Sequence, residues 1–144
     1  MKAVLDAGIF VAHFVEADNA HAECERAVTA CKAELIHVIA PLVLPPEVAG
    51  AIARRTGDES RALLALTHLR NYAWLHVRLA DTRFTEQTAR LAARHALRGA
   101  DAFYIAVAIE QRCPLITLDE EMLARAPSTV RAMRPADWLV TLGR

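Results

Sequence analysis

Ala3-Val4-Leu5-Asp6 is an apolar run that stops at a carboxylate, and its reading decides the fold. A run this short and continuous has the pattern of a strand buried on both faces of a parallel sheet. Asp6 interrupts it with no capping signature around it. Three more acids fall at comparable junctions. Asp119 closes the apolar run from Pro114 to Leu118, while Glu47 and Asp101 stand where helices begin. A carboxylate at the C-terminal edge of a parallel sheet, or in the first turn of the helix above it, points into the crevice where α/β proteins place their ligands.

Working outward from that strand, Ile9 to Ala17 reads as a helix, and Asn19 as the cap of a second one running to about Lys32. Leu35 to Ala40 has the composition of a second strand. Pro45-Pro46 fits the first turn of a helix that continues through Glu47, Val48, Ile52 and Arg55 until Gly57. Asp58 opens another, with Leu63, Leu66 and Leu69 at helical spacing. Trp74 to Leu79 reads as a third strand. Thr82 is the expected cap of a long helix that puts Phe84, Thr88, Leu91 and His95 on one face and is broken by Gly99. Asp101 then begins a nearly all-apolar helix, Ala102 to Ile109, expected at the centre of the fold. Pro114 to Leu118 is a fourth strand, Thr129 to Met133 a fifth, and Pro135, Asp137 and Trp138 start a terminal helix. This order predicts one α/β domain over residues 1–144, with a mostly parallel central sheet of four to five strands flanked by helices on both faces.

A chain of 144 residues, 54% hydrophobic and 24% charged, can bury a full core without disulfide or metal staples. Cys24, Cys31 and Cys113 are odd in number and lack zinc-ligand spacing, which fits reduced thiols in a cytoplasmic protein. The first apolar stretch is interrupted by Asp6 and His13, so neither a signal core nor a membrane span is expected there. Net charge is zero, which argues against a globally basic nucleic-acid binder. The charge is uneven, however. Residues 1–50 carry three basic and seven acidic groups, and residues 51–100 carry nine Arg and four acids. Fifteen of the seventeen cations are Arg, the residue suited to bidentate phosphate contacts, although many of them read as solvated helix faces.

Taken singly, each acid has a structural explanation. Asp119, followed by Glu120 and Glu121, can cap a helix and complement its dipole. Glu47 after Pro-Pro and Asp101 after Gly99 are favourable first-turn acids. The conjunction points elsewhere, because two acids follow strands and two begin helices bordering the same sheet edge. Converging carboxylates need compensation in a low-dielectric site, and a hard divalent cation, Mg²⁺ or Mn²⁺, supplies it with oxygen ligands. Such an ion lowers the pKa of bound water and screens a phosphate's growing charge. Thr117, two residues before Asp119, points to the same strand face and is placed to order a water. With no cation bound, mutual repulsion should raise the carboxyl pKa values.

Four segments carry a resemblance: Val4-Leu5-Asp6-Ala7, Pro46-Glu47-Val48-Ala49, Leu97-Arg98-Gly99-Ala100-Asp101-Ala102 leading into Tyr104-Ile105-Ala106, and Ile116-Thr117-Leu118-Asp119. In this order and at these separations the chain resembles a PIN domain over nearly its whole length. Within that superfamily it is similar to the VapC-like ribonuclease toxins of type II toxin–antitoxin systems. The resemblance implies a metal-dependent endoribonuclease with Asp6, Glu47, Asp101 and Asp119 as the metal-binding quartet. It also implies an RNA substrate, a homodimer, and a cognate antitoxin that covers the site. One departure stands out: the family commonly has a small polar residue just after the first Asp, where this chain has Ala7-Gly8. That leaves Thr117 as the nearby hydroxyl.

The six histidines are scattered without zinc-helix spacing, and His13 reads as structural. The five glycines form no phosphate loop, and the aromatics lie mostly at core spacings. Two alternatives stay open: a catalytically silent partner-binding domain of the same fold, and a nuclease acting on another nucleic acid. The helices from about Pro46 to Ala73 carry more apolar residues than one buried stripe needs. Val48, Ile52, Leu63, Leu64, Leu66 and Leu69, with Ile9, Phe10 and His13, are therefore expected to form a groove for an antitoxin segment.

Overall fold

The computed structural model describes residues 1–143. Among these residues the chain forms five strands and eight helices in the order β1 (Lys2–Leu5), α1 (Ala7–Phe14), α2 (His21–Ala33), β2 (His37–Pro41), α3 (Leu44–Thr56), α4 (Glu59–Asn71), β3 (Leu75–Arg78), α5 (Thr82–His95), α6 (Gly99–Gln111), β4 (Leu115–Ile116), α7 (Glu120–Arg125), β5 (Ala132–Met133) and α8 (Pro135–Thr141). The strands make one sheet in the order β3-β2-β1-β4-β5. Every pairing is parallel, with Ala3 opposite Val38 and Leu5 opposite Ile116. The first strand is therefore the middle of the sheet, which is why Ala3, Val4 and Leu5 have no accessible surface and why their apolar run is continuous.

From β1 the chain winds outward to β2 and β3 on one side and to β4 and β5 on the other. The crevice above β1 and β4 is the switch point of such a sheet. Asp6 leaves the end of β1, and Thr117 and Asp119 follow β4, so the topology delivers them to one edge. The α6 helix crosses the sheet centre. Its Ala102, Tyr104, Ile105, Val107 and Ala108 are almost wholly buried, as a helix apolar on all sides requires.

The expected fold class and element order match this architecture, and the differences lie at element ends. The first helix starts at Ala7 and stops at Phe14, not Ala17. Asn19 does not cap α2. Its cap residue is Ala20, whose N–H donates to the Asp18 side chain. Asp81, not Thr82, caps α5 by accepting the Phe84 N–H at 2.8 Å, a carboxylate being the stronger acceptor for a helix N-terminus. Nor does Gly99 break α5. Ala96 ends it in the left-handed conformation at φ 51°, and Gly99 is already the first residue of α6. The fourth and fifth strands are two residues each, shorter than the sequence suggested.

The expected partner groove is corrected more substantially. Ile9 and Phe10 are fully buried, as are Val48 at 0% and Ile52 at 1% exposure. They face the core because α1 and α3 pack on each other. Leu66 is partly buried and Leu69 buried against the same core. Only Leu63 and Leu64 of the named set present large apolar surface, at 54% and 57% exposure.

Candidate active site

All four singled-out acids line one cavity of about 510 Å³, together with Ala7, Gly8, Arg54, Arg55 and Arg98. Each reaches it for a local reason. Asp6 occupies the position before α1, yet its side chain makes no capping bond, so the carboxylate is left for the cavity. Gly8 permits this: a Cβ there would stand 3.3 Å from Asp6 Oδ2. The departure Ala7-Gly8 thus has a steric use, since it makes room for the carboxylate over the start of the helix.

Glu47 sits in the first turn of α3 and Asp101 in the first turn of α6. Asp119 precedes α7 and does cap it, accepting the Met122 N–H at 2.9 Å through Oδ1. Its structural explanation therefore holds alongside any other role, because Oδ2 still faces the cavity side and accepts from Arg98.

Thr117 links two of these acids. It is wholly buried; its hydroxyl donates to Asp6 Oδ2 at 2.9 Å and accepts the Asp119 N–H at 2.9 Å. In place of the water expected there, its hydroxyl engages Asp6 and the Asp119 backbone.

Two residues to which the sequence reading gave no role complete the arrangement. Tyr104, buried in α6, donates its hydroxyl to Glu47 Oε2 at 2.6 Å. Arg98 spans two acids, with Nε 2.7 Å from Asp101 Oδ2 and Nη2 2.5 Å from Asp119 Oδ2. The i,i+3 spacing of Arg98 and Asp101 was visible in the sequence. The Tyr104–Glu47 contact, across fifty-seven positions, was not.

The electrostatics differ from simple mutual repulsion. Burial pushes the Asp6 carboxyl up to about 6; the Thr117 hydroxyl opposes this, and the charges of Glu47 and Asp101 add to it. Burial also raises Glu47 against the Tyr104 bond, and Asp101 against the Arg98 bond. Asp119 moves the other way. Burial would raise it, but the Met122 amide and Arg98 together hold it below the usual carboxylate range. Desolvation is thus the main cause, and the expected rise of all four is corrected to three.

As a donor set the cavity wall fits a hard divalent ion. It offers carboxylate oxygens and no imidazole or sulfur. Among the described residues no three acid, His or Cys side chains form a ready ligating group, and the guanidinium of Arg98 is the cation lying between Asp101 and Asp119. Arg98 bridges them from the cavity rim, with 61% of its side chain exposed. His13 is not on this wall. It packs below, with Nε2 3.0 Å from the Tyr72 hydroxyl and Nδ1 2.5 Å from Glu25, as a structural histidine.

The all-parallel sheet thus carries an acid-lined cavity at its switch point. The chain belongs to the PIN domain family, whose model matches residues 3–127. Among solved structures it is similar to the Mycobacterium tuberculosis toxin VapC20, a sarcin–ricin loop cleaving toxin, at 21% identity and TM-score 0.72, over 90% of this chain and 98% of that one. It is similar to PAE2754 from Pyrobaculum aerophilum at 20% identity and TM-score 0.69, over 99% and 98% of the two chains. A toxin–antitoxin complex from Klebsiella pneumoniae matches at 22% identity and TM-score 0.65, over 92% and 97%. At these identities the likeness is one of fold. Sequence comparison with curated proteins gave no match.

Proposed function

We propose that this chain is a Mg²⁺- or Mn²⁺-dependent endoribonuclease, the toxin of a type II toxin–antitoxin pair. The observation that carries the reading is the single cavity shared by Asp6, Glu47, Asp101 and Asp119, in a PIN domain. The four carboxylates would hold the ion. When bound, it would supply an activated water and charge screening at the scissile phosphate.

The chain's own residues do the positioning. Thr117 fixes Asp6 Oδ2 and leaves Oδ1 for the cavity, and Tyr104 fixes Glu47 Oε2 in the same way. Fixed carboxylates lose less entropy on binding an ion. Buried Asp6, with its raised pKa, is partly protonated near pH 6 and fully ionised only above it, so the site gains ligand charge as pH rises. Arg98 neutralises Asp101 and Asp119 and holds the space between them, where an ion would have to compete with it.

The partners proposed are an RNA, an antitoxin and a second copy of the chain, acting in the cytoplasm. The Klebsiella neighbour is a toxin–antitoxin complex, which supports the antitoxin. No helix among the described residues is long and apolar enough to cross a membrane. The deciding experiment is incubation of the purified protein with defined tRNA and mRNA, with Mn²⁺ or with EDTA. Cleavage that needs the metal and is lost in Asp6→Ala supports the reading. Cleavage that survives either treatment rejects this site as its source, and no cleavage under any metal rejects the reading in favour of the silent partner-binding domain.

A further inference from the structure

The cavity poses an electrostatic problem for any RNA. A polyanion has to approach four carboxylates, so the wall needs a cation that those acids do not already consume. Three arginines line the cavity. Arg98 is committed to Asp101 and Asp119, and Arg55 is paired with Asp18 outside the acid group. Arg54 is different. Among the described residues it has no carboxylate within ion-pair distance and no side-chain hydrogen bond, and it is exposed.

Its guanidinium rests on its own helix. A Cβ on Gly50 would stand 3.2 Å from Arg54 Nη1, so the guanidinium lies back along α3 over Gly50, toward the turn that carries Glu47. Glycine inside a helix is less favourable than alanine. Here it leaves room for the guanidinium to rest against the helix.

We propose that Arg54 is the phosphate-binding residue of this site, taking a backbone phosphate of the RNA beside the one held at the acids. The proposal rests on the nuclease reading for its ligand. A guanidinium suits the task because its planar fork meets two phosphate oxygens at once, with no dependence on base sequence.

The test uses the full chain and a fluorescein-labelled, single-stranded phosphorothioate oligoribonucleotide, followed by anisotropy over a series of salt concentrations. Arg54→Gln should weaken binding about tenfold, the loss of one charge-assisted contact. It should also reduce the slope of log K against log salt by about 0.7, the value for one phosphate on a single strand. Arg54→Lys should restore the slope but only part of the affinity, since it keeps the charge and loses the fork. Gly50→Ala should leave the melting temperature equal or higher and change binding far less than Arg54→Gln, because alanine favours the helix and the exposed guanidinium need move only slightly. In cleavage assays Arg54→Gln should raise KM more than it lowers kcat.

Unchanged affinity and slope in Arg54→Gln, or no binding of the oligonucleotide by the wild type, overturns the proposal. If the wild type binds, Arg54→Gln binds less, and no metal supports cleavage, then the nuclease reading falls and the phosphate site stands. If the wild type cleaves and Arg54→Gln binds as well as it does, only the phosphate site falls.

Discussion

The Thr117 hydroxyl donates to Asp6 Oδ2 at 2.9 Å while accepting the Asp119 N–H at the same distance, so one buried oxygen ties the ends of β1 and β4. Thr117→Val keeps the shape and leaves a buried carboxylate oxygen and an amide without that partner. The expected cost is about 2–6 kcal/mol, from two unsatisfied groups of roughly 1–3 kcal/mol each. Thr117→Ser keeps the hydroxyl and should recover most of it. Urea denaturation of the two variants checks this, and equal loss in both would mean that packing of the methyl group matters more than the hydrogen bonds.

Asp6 gives stability a pH dependence of known sign. Its carboxyl is raised from 3.8 to about 6 in the folded chain, so folding disfavours the charged form. Stability from this group is fully present below pH 3.8 and is lost as pH rises through about 6. Asp6→Asn removes the charge. Relative to wild type it should gain up to about 3 kcal/mol between pH 4 and pH 8. Denaturation midpoints at the two pH values test it, and a pH-independent difference would contradict the buried, ionising Asp6.

Arg98 occupies the place of a cation between Asp101 and Asp119. In Arg98→Gln both carboxylates lose that partner. Asp119, now held low partly by Arg98, should titrate at higher pH. The same variant should bind Mn²⁺ severalfold more tightly, because the ion no longer competes with a tethered guanidinium. Carboxyl NMR titration and calorimetry give the two readouts. Weaker Mn²⁺ binding in the variant would show that Arg98 helps the ion instead of excluding it.

The exposed apolar side chains of α4 are the part of the expected groove left for a partner. Leu63→Asp with Leu64→Asp should weaken an antitoxin complex by at least tenfold, from loss of roughly 1.5–3 kcal/mol per buried leucine. Its melting temperature should stay near that of the wild type, since both residues are more than half exposed. Ile52→Asp is the contrast, because it places a charge in the core and should unfold the chain. Undiminished affinity in the leucine pair would move the partner to another face.

Much of this protein was legible in the amino-acid order. Ala3-Val4-Leu5 can be apolar throughout only if both faces are covered, and Asp6 at its end is then at the sheet edge. Glu47 behind Pro-Pro and Asp119 behind Ile116-Thr117 are placed by local rules of helix and strand ends, which act over a few residues. The helix ends at Asn19, Thr82 and Gly99 were misplaced because several residues there can cap or stop a helix, and packing chooses among them.

Tertiary structure alone decided which surfaces meet. Val48 and Ile52 share the α3–α4 hairpin with Leu63 and Leu64, and periodicity cannot say which of them the sheet and α1 will cover. The hydrogen bond of Tyr104 to Glu47 and that of Thr117 to Asp6 join residues far apart in sequence, through the crossing of α6 over the sheet and the pairing of β1 with β4. The sign of each acid's pKa shift follows from the same source. Asp6 and Asp119 are both aspartates at strand ends, yet one is buried against a hydroxyl and the other is held by an amide and an arginine. Sequence order places the charges, because strand and helix ends are set locally. Burial and partner are set by long-range packing, and these determine what each charge can do.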